Sequence, residues 1–386
     1  MEDFLTPIDK TKITRFLDLQ ENHLGKHIAI NTGDVPDLNG LDLCIVGVCE
    51  DRAVVNNEGC ALGPDAIRRS LYALDKSDFP LRLLDLGNIM PGAQVSDTYE
   101  AVAQVVRELV ENDVVAIVIG GSHDLTYGQY RAYASAGTVI NLTVVDESID
   151  VYKKKERLDS KSFLYDIFTE SPNFLFNFSQ LAYQSYFVAP RDIAILEKLN
   201  FDFYRLGQIR ENMEEVEPVM RDSSAVSFDI SGIRQSDAPA VQHPTPNGLF
   251  GEEACKIARY AGISDKVTSF GLYELNPKFD DRNQTVNLAA QMIWYFIEGF
   301  YSRKNEFPVK ADESFLQYAV QLDAYEHELR FLKSRKSGRW WMQIPRGSNG
   351  HTEYLLVPCS YADYEGACNN EVPDRWLNAM AKLEEV

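Results

Sequence analysis

Apolar runs recur along this chain and are separated by amphipathic stretches of helical period. Leu41–Glu50, Leu81–Leu86, Val114–Ile119, Val139–Val145, a stretch near Leu181–Val188, Ala225–Ile230 and Lys266–Leu272 read as buried strands. Parallel strands covered on both faces need no polar alternation. Between them the pattern predicts a helix opened by Pro64, in the favoured first-turn position, and a helix over Asp97–Glu111 with Ser96 as N-cap. Further helices are predicted over Thr126–Ala134, Arg191–Leu199, the acidic run Glu211–Val219, Glu252–Ala261 and Val286–Tyr301. Alternation at this spacing predicts an α/β fold with three layers, α/β/α, around a largely parallel, doubly wound sheet. Tyr152–Ser179 is aromatic and lacks a period, so it reads as a long active-site loop.

From about Arg303 the character changes. FPVKADESFLQYAVQLDAYEHELRFLKS contains a helix-period segment. RWWMQIP and EYLLVPCSYADY then read as two short strands, and VPDRWLNAMAKLEEV as a closing helix. The expected organisation is a lead-in over 1–38, an α/β domain over 39–303 and a small C-terminal α+β appendage over 304–386.

Composition narrows the range of partners. The chain has 386 residues, 45% hydrophobic and 25% charged, with a net charge of −20. That balance argues against nucleic acid and anionic membranes, which call for a basic surface. Of the basic clusters, Lys153–Lys155 reads as a solvated loop, and the other is Lys333–Arg339. Six cysteines without CxxC pairing indicate free thiols in a reducing compartment. The first residues lack the apolar core of a signal peptide, and no apolar run approaches the ~20 residues of a membrane span. A cytoplasmic location is expected.

Three of the apolar runs end in metal-binding side chains: VAIVIGGSHD (Val115–Asp124), LTVVDESID (Leu142–Asp150) and AVSFDISGIRQSDAP (Ala225–Pro239). They offer His123, Asp146, Asp150 and Asp229, a hard N/O set suited to Mn²⁺ or Zn²⁺. In extended backbone Asp146, Ser148 and Asp150 share one face, as do Asp229 and Ser231, while Glu147 points away. An Asp at a strand end is ordinarily a helix cap. Three such segments at consecutive strand ends instead point to one site at the carboxyl edge of a parallel sheet. The Gly-Gly turn is neither GxGxxG nor GxxxxGK, so a phosphate-binding loop lacks its basis.

The order GGSHD, DESID and SFDISGIRQSDAPA resembles the ureohydrolases (arginase, agmatinase and formimidoylglutamase), whose signatures are GGDHS-like, DAHxD and SxDxDxxDPxxAPG. VGVCEDRAVVNNEGCALGPDAIR and LYELNPKFDDRNQTVNLAAQMI are also similar to family segments, so the resemblance spans roughly residues 40–302. RLDSKSFLYDI lacks the histidine of arginases and looks more like formimidoylglutamases, through Ser160, Ser162 and Phe163. The resemblance implies a two-manganese site hydrolysing a linear amidine. The first ion would be held by His123, Asp146, Asp150 and Asp229. The second would share Asp146 and Asp229, but Ser148 and Ser231 stand where the family has His and Asp. One Mn²⁺ per chain is therefore expected, with Zn²⁺ as the alternative.

The resemblance further implies that Asp146 and His123 belong to the catalytic machinery and that Glu274 meets the substrate's amidinium. Arg234, His243 and Ser162 are candidate substrate contacts. The expected partner is a small amidine or guanidino compound, with a homo-oligomer as the assembly. The competing reading is a non-catalytic descendant of the family with a binding or assembly role.

Overall fold

The structure, a computed structural model, describes residues 2–9, 11, 19–33, 36–152, 157–308, 313–322, 328–346 and 353–384. The Lys153–Lys155 cluster lies outside the described residues. The strands of the central sheet are β1 (Leu5–Thr6), β2 (Ala29–Ile30), β3 (Leu43–Val48), β4 (Leu83–Ile89), β5 (Val115–Ile119), β6 (Ile140–Val145), β7 (Leu175–Tyr183), β8 (Asp202–Arg205), β9 (Ala225–Asp229) and β10 (Ser269–Tyr273). They lie in the order β1-β4-β3-β5-β10-β9-β6-β7-β8, with β2 also paired to β4. Every pair is parallel except β1 with β4.

Alternate residues of each strand enter one of two cores. Ile45, Ile117, Val226 and Phe270 face helices Gly63–Tyr72, Val216–Asp222, Gly251–Gly262 and Gln284–Tyr301. Cys44, Val46, Ala116, Val118 and Ala225 face helices Val95–Glu111, Thr126–Ser135 and Phe163–Thr169. Burial on both faces is why these strands read as continuous apolar runs, and the result is the α/β/α sandwich. The topology also creates the site. β5 and β6 are consecutive in sequence but separated by β9 and β10, which puts the carboxyl ends of four parallel strands side by side at a switch point.

The last segment forms an antiparallel sheet of β11 (Phe315–Val320), β12 (Leu329–Ser334), β13 (Trp340–Arg346) and β14 (Glu353–Cys359), followed by helices Tyr361–Cys368 and Asp374–Glu384. It packs beside the β8 edge. Arg221, 5% exposed, donates to the carbonyls of Trp340 (2.9 Å) and Cys359 (3.0 Å) and lies over the Trp341 ring. Among the described residues no helix is long and apolar enough to cross a membrane.

Several expectations need correction. Tyr152–Ser179 is not irregular throughout, since it contains helix Phe163–Thr169 and the first half of β7. Phe163, Leu164 and Phe178 are buried, so its aromatics are core rather than loop. The strand expected near Leu181–Val188 begins earlier, at Leu175, and β8 was missed because only four residues pair. Where the segment expected to hold a helix is described, β11 and β12 form instead, because alternate residues of each pack under the small sheet, and residues 309–312 and 323–327 lie outside the described residues. The acidic run divides at Asn212 into two short helices joined by a 3-10 turn. Gln94, not Ser96, holds the N-cap position of helix Val95–Glu111, where its N–H donates to Asp97 Oδ2 at 2.8 Å.

One buried ion pair ties helix Gly63–Tyr72 to β4. Arg68, fully buried, holds Asp85 through Nε (2.8 Å) and Nη2 (2.9 Å), and Tyr72 donates to the same carboxylate at 2.9 Å. Arg68→Met strands that carboxylate in the core and is expected to cost about 3–5 kcal/mol in urea unfolding. Arg68→Met with Asp85→Leu should recover most of it; a single variant as stable as the parent contradicts this account.

Candidate metal centre

The centre is built at the carboxyl ends of β5, β10, β9 and β6. After β5 the chain turns through Gly120 (φ 85°) and Gly121 (φ 76°), a conformation that L side chains avoid. A Cβ on Gly120 would lie 2.4 Å from the Pro64 ring, and one on Gly121 2.7 Å from the Glu50 carbonyl. The tight turn delivers His123 at the sheet edge. Asp146 follows β6 directly, Asp150 follows four residues later, and Asp229 is the last residue of β9. Beyond Asp146 the backbone bends instead of staying extended, yet Asp146, Ser148 and Asp150 still converge.

His123 Nδ1 faces Asp229 Oδ2 at 3.3 Å, Asp150 Oδ2 at 3.4 Å and Asp146 Oδ2 at 3.5 Å. One ligand atom from each of the four residues lies within 4.8 Å of all the others, and all four residues are buried. His123 Nδ1, Asp150 Oδ2 and Asp229 Oδ2 are buried without a hydrogen-bond partner. Such orphaned atoms carry a desolvation cost unless a cation meets them. The imidazole is held by its other nitrogen: Nε2 is 2.9 Å from Ser227 Oγ, which is 2.6 Å from Thr126 Oγ1. The Phe163 ring packs beside it with centroids 4.7 Å apart. An outer hydrogen bond of this kind fixes the ring of a metal-ligating histidine.

Electrostatics in the centre are unbalanced. Burial disfavours a charged His123, but the three carboxylates outweigh it and raise its pKa well above the usual range. Burial also opposes the Asp146 charge, yet Lys161 and His123 hold that carboxyl below the usual range. Asp150 is pushed up to about 6 by burial, with Asp146 adding to the effect. Glu147 and Glu274 are each pushed up to about 8, chiefly by burial and then by Asp146 and Asp229 respectively.

The sequence candidates fall into two groups. Ser148 Oγ donates to Asp150 Oδ1 at 2.9 Å, and Ser231 Oγ lies 3.4 Å from Asp146 Oδ1, so both serines face the ligand carboxylates. Glu274 stands beside the centre at the end of β10, with φ 65°. Its Oε1 accepts the His123 backbone N–H at 2.8 Å and its Oε2 accepts Asn57 Nδ2 at 2.7 Å. The others are engaged elsewhere or exposed. Ser162 Oγ closes a turn with Asp159 at 2.8 Å, and Arg234 pairs with Asp237 at 3.0 Å and stacks 4.0 Å over Phe250. His243 is on an exposed loop.

Three residues escaped sequence reasoning. Lys161 Nζ is 3.2 Å from Ser148 Oγ, 3.5 Å from Asp150 Oδ1 and 3.9 Å from Asp146 Oδ2 and Asp229 Oδ2. Burial works against its charge, but those carboxylates hold it protonated well above the ordinary range. Nothing local marks a lysine between two serines. Ser227 carries a visible signal, as the polar residue inside the buried run AVSFD. Asn57 lies in a loop whose contact with Glu274 spans 217 positions.

Comparison with known proteins identifies the family and the fold. The arginase family profile matches residues 41–298, and the chain belongs to that family. Among its relatives, the formimidoylglutamase of Staphylococcus haemolyticus is 27% identical over 280 residues, 69% of this chain and 88% of the relative. That of Staphylococcus aureus is 26% identical over 265 residues, 66% and 85% of the two chains. The Trypanosoma cruzi formiminoglutamase structure with Mn²⁺ has a TM-score of 0.64 at 23% identity, covering 70% of this chain and 97% of that one. The Bacillus subtilis formimidoylglutamase structure has a TM-score of 0.65 at 18% identity, covering 77% and 100%. The staphylococcal relatives are formimidoylglutamases, 25–27% identical to this chain in sequence. The antiparallel sheet beyond Tyr301 lies outside the matched segment.

Ser227→Ala frees the His123 ring from its anchor. It is expected to weaken Mn²⁺ binding by about tenfold, read from competition with a chelating dye. Equal affinity in the variant would show that the ring is oriented by packing alone.

Proposed function

We propose that the protein hydrolyses a C–N bond of a linear amidine, with formimidoylglutamate as the leading substrate, using one divalent cation. Mn²⁺ is favoured and Zn²⁺ is the alternative. The observation that carries this reading is the trio of buried, unpartnered atoms His123 Nδ1, Asp150 Oδ2 and Asp229 Oδ2 around Asp146. Their hard oxygens and single imidazole suit such an ion. When bound, the ion would supply Lewis-acid polarisation and a water of lowered pKa. His123, Asp146, Asp150 and Asp229 would hold it.

The chain's own groups do the remaining work. Glu274 is buried, and both its oxygens are fixed by His123 N–H and Asn57, so it offers an oriented carboxylate to an amidinium. An amidinium beside it favours the ionised carboxylate, against the burial that otherwise raises its pKa. The family relatives named above, all formimidoylglutamases, support the substrate class.

The departures at Ser148 and Ser231 support a second reading. A hydroxyl is a weak ligand where an imidazole or carboxylate would bind. In that reading the arginase fold is kept for binding or assembly, and hydrolysis is lost.

The deciding experiment loads the purified protein with Mn²⁺, counts ions per chain by elemental analysis, and follows release of formamide or ammonia from formimidoylglutamate. One ion per chain and turnover abolished by chelation are expected. Asp150→Asn or His123→Ala should reduce the rate by about 100-fold or more. Cation binding with formimidoylglutamate, arginine and agmatine all left intact selects the non-catalytic reading.

A further inference from the structure

We propose that the Lys161 ammonium is a built-in cation of the centre, standing where a second metal ion would otherwise sit and limiting the site to one. The inference rests on the reading that the centre binds a divalent ion, and it assigns the residue that sets the stoichiometry.

Position is the first argument. A second ion would need Asp146, Asp229 and the places held by Ser148 and Ser231. Lys161 Nζ already faces Asp146 Oδ2 and Asp229 Oδ2, each at 3.9 Å, and Ser148 Oγ at 3.2 Å. It meets Asp150 through Oδ1 at 3.5 Å, whereas His123 meets the same carboxylate through Oδ2. The ammonium and the imidazole thus address different oxygens of Asp150 and share Asp146 Oδ2 and Asp229 Oδ2, while His123 Nδ1 and Asp150 Oδ2 keep no hydrogen-bond partner and remain available to a first ion.

Anchoring is the second. Lys161 keeps 42% of its side chain exposed, yet it is not a surface lysine folded inward by chance. Both neighbours are 1% exposed. Ser160 accepts Val55 N–H at 2.9 Å on its hydroxyl and donates its backbone N–H to Ala53 O at 3.0 Å. Ser162 closes the turn with Asp159, and the Lys161 N–H donates to Asp159 Oδ1 at 3.1 Å. Phe163, fully buried against the His123 ring, and the Leu164 N–H on Asp150 O (3.1 Å) fasten the segment to the centre.

Charge is the third. With His123 neutral as a ligand, three carboxylates are matched by one ammonium and one divalent ion. A second divalent ion would leave the buried centre with uncompensated positive charge beside an ammonium, an unfavourable arrangement in a low-dielectric site. Ser148 and Ser231, where the family has His and Asp, do not supply the ligands such an ion would need, and the ammonium stands 3.2 Å from Ser148 Oγ.

The test counts Mn²⁺ per chain, by elemental analysis and by electron paramagnetic resonance, in three full-length proteins. These are the parent, Ser148→His with Ser231→Asp, and the same pair with Lys161→Met. The expected counts are one, one and two, with the spectrum changing from isolated ions to a coupled pair only in the last. Two ions in the parent or in the pair that keeps Lys161 overturn the assignment, as does a triple variant that stays at one while folded. Should the triple variant not fold, Lys161→Met alone decides: the first ion is expected to bind about tenfold more tightly without a competing ammonium. Unchanged or weaker binding overturns the proposal. A parent protein that takes no ion refutes the proposed function itself. One ion in the parent and two in the pair refute the role of Lys161 alone.

Discussion

Asp146, Asp150 and Asp229 are gathered so that the ligand atoms of the centre lie within 4.8 Å of one another, out of water. Two like charges at that separation repel by about 3–4 kcal/mol even at an effective dielectric of about 20. The rest of the site is arranged around that repulsion. His123 and Lys161 approach Asp150 through different oxygens and share one oxygen each of Asp146 and Asp229, Ser148 donates to Asp150, and the Ser231 N–H donates to Asp229 Oδ1 at 2.7 Å. The ligand atoms still unpartnered are where a divalent cation would complete the balance.

The scaffold makes this concentration of charge tolerable. Four parallel strands, β5, β10, β9 and β6, deliver it from a sheet sealed by two apolar cores, so the acids cannot separate without unfolding the strand ends. Functional preorganisation of this kind spends folding stability. Two buried charges elsewhere are well compensated: Arg68 and Asp85 are paired twice over, and Arg221 satisfies two carbonyls of the C-terminal sheet.

Much of the fold and of the ligand set was legible in the chain because both rest on local pattern. Continuous apolar strands alternating with amphipathic helices announce a parallel sheet, and acids at strand ends announce its carboxyl edge. Local pattern failed where tertiary packing overrode it. The helical period after Arg303 yielded to strand pairing of β11 with β12, and the aromatic stretch before β7 became core once Phe163 and Phe178 found partners.

The sequence by itself determined the α/β/α class, the arginase-family signature and the four candidate ligands His123, Asp146, Asp150 and Asp229. Periodicity suffices for the class, the polar ends of three apolar runs for the candidates, and resemblance to the family's motifs for the signature. Only the tertiary structure brought Lys161 beside Ser148 and the three carboxylates. Lys161 is 13 positions from Ser148 and lies on a loop with no period of its own. Its charge reaches the carboxylates only because Ser160, Ser162 and Phe163 fold that loop against the sheet edge. The grip of Asn57 on Glu274 was hidden for the same reason, since two contacting groups far apart in sequence leave no trace in either neighbourhood.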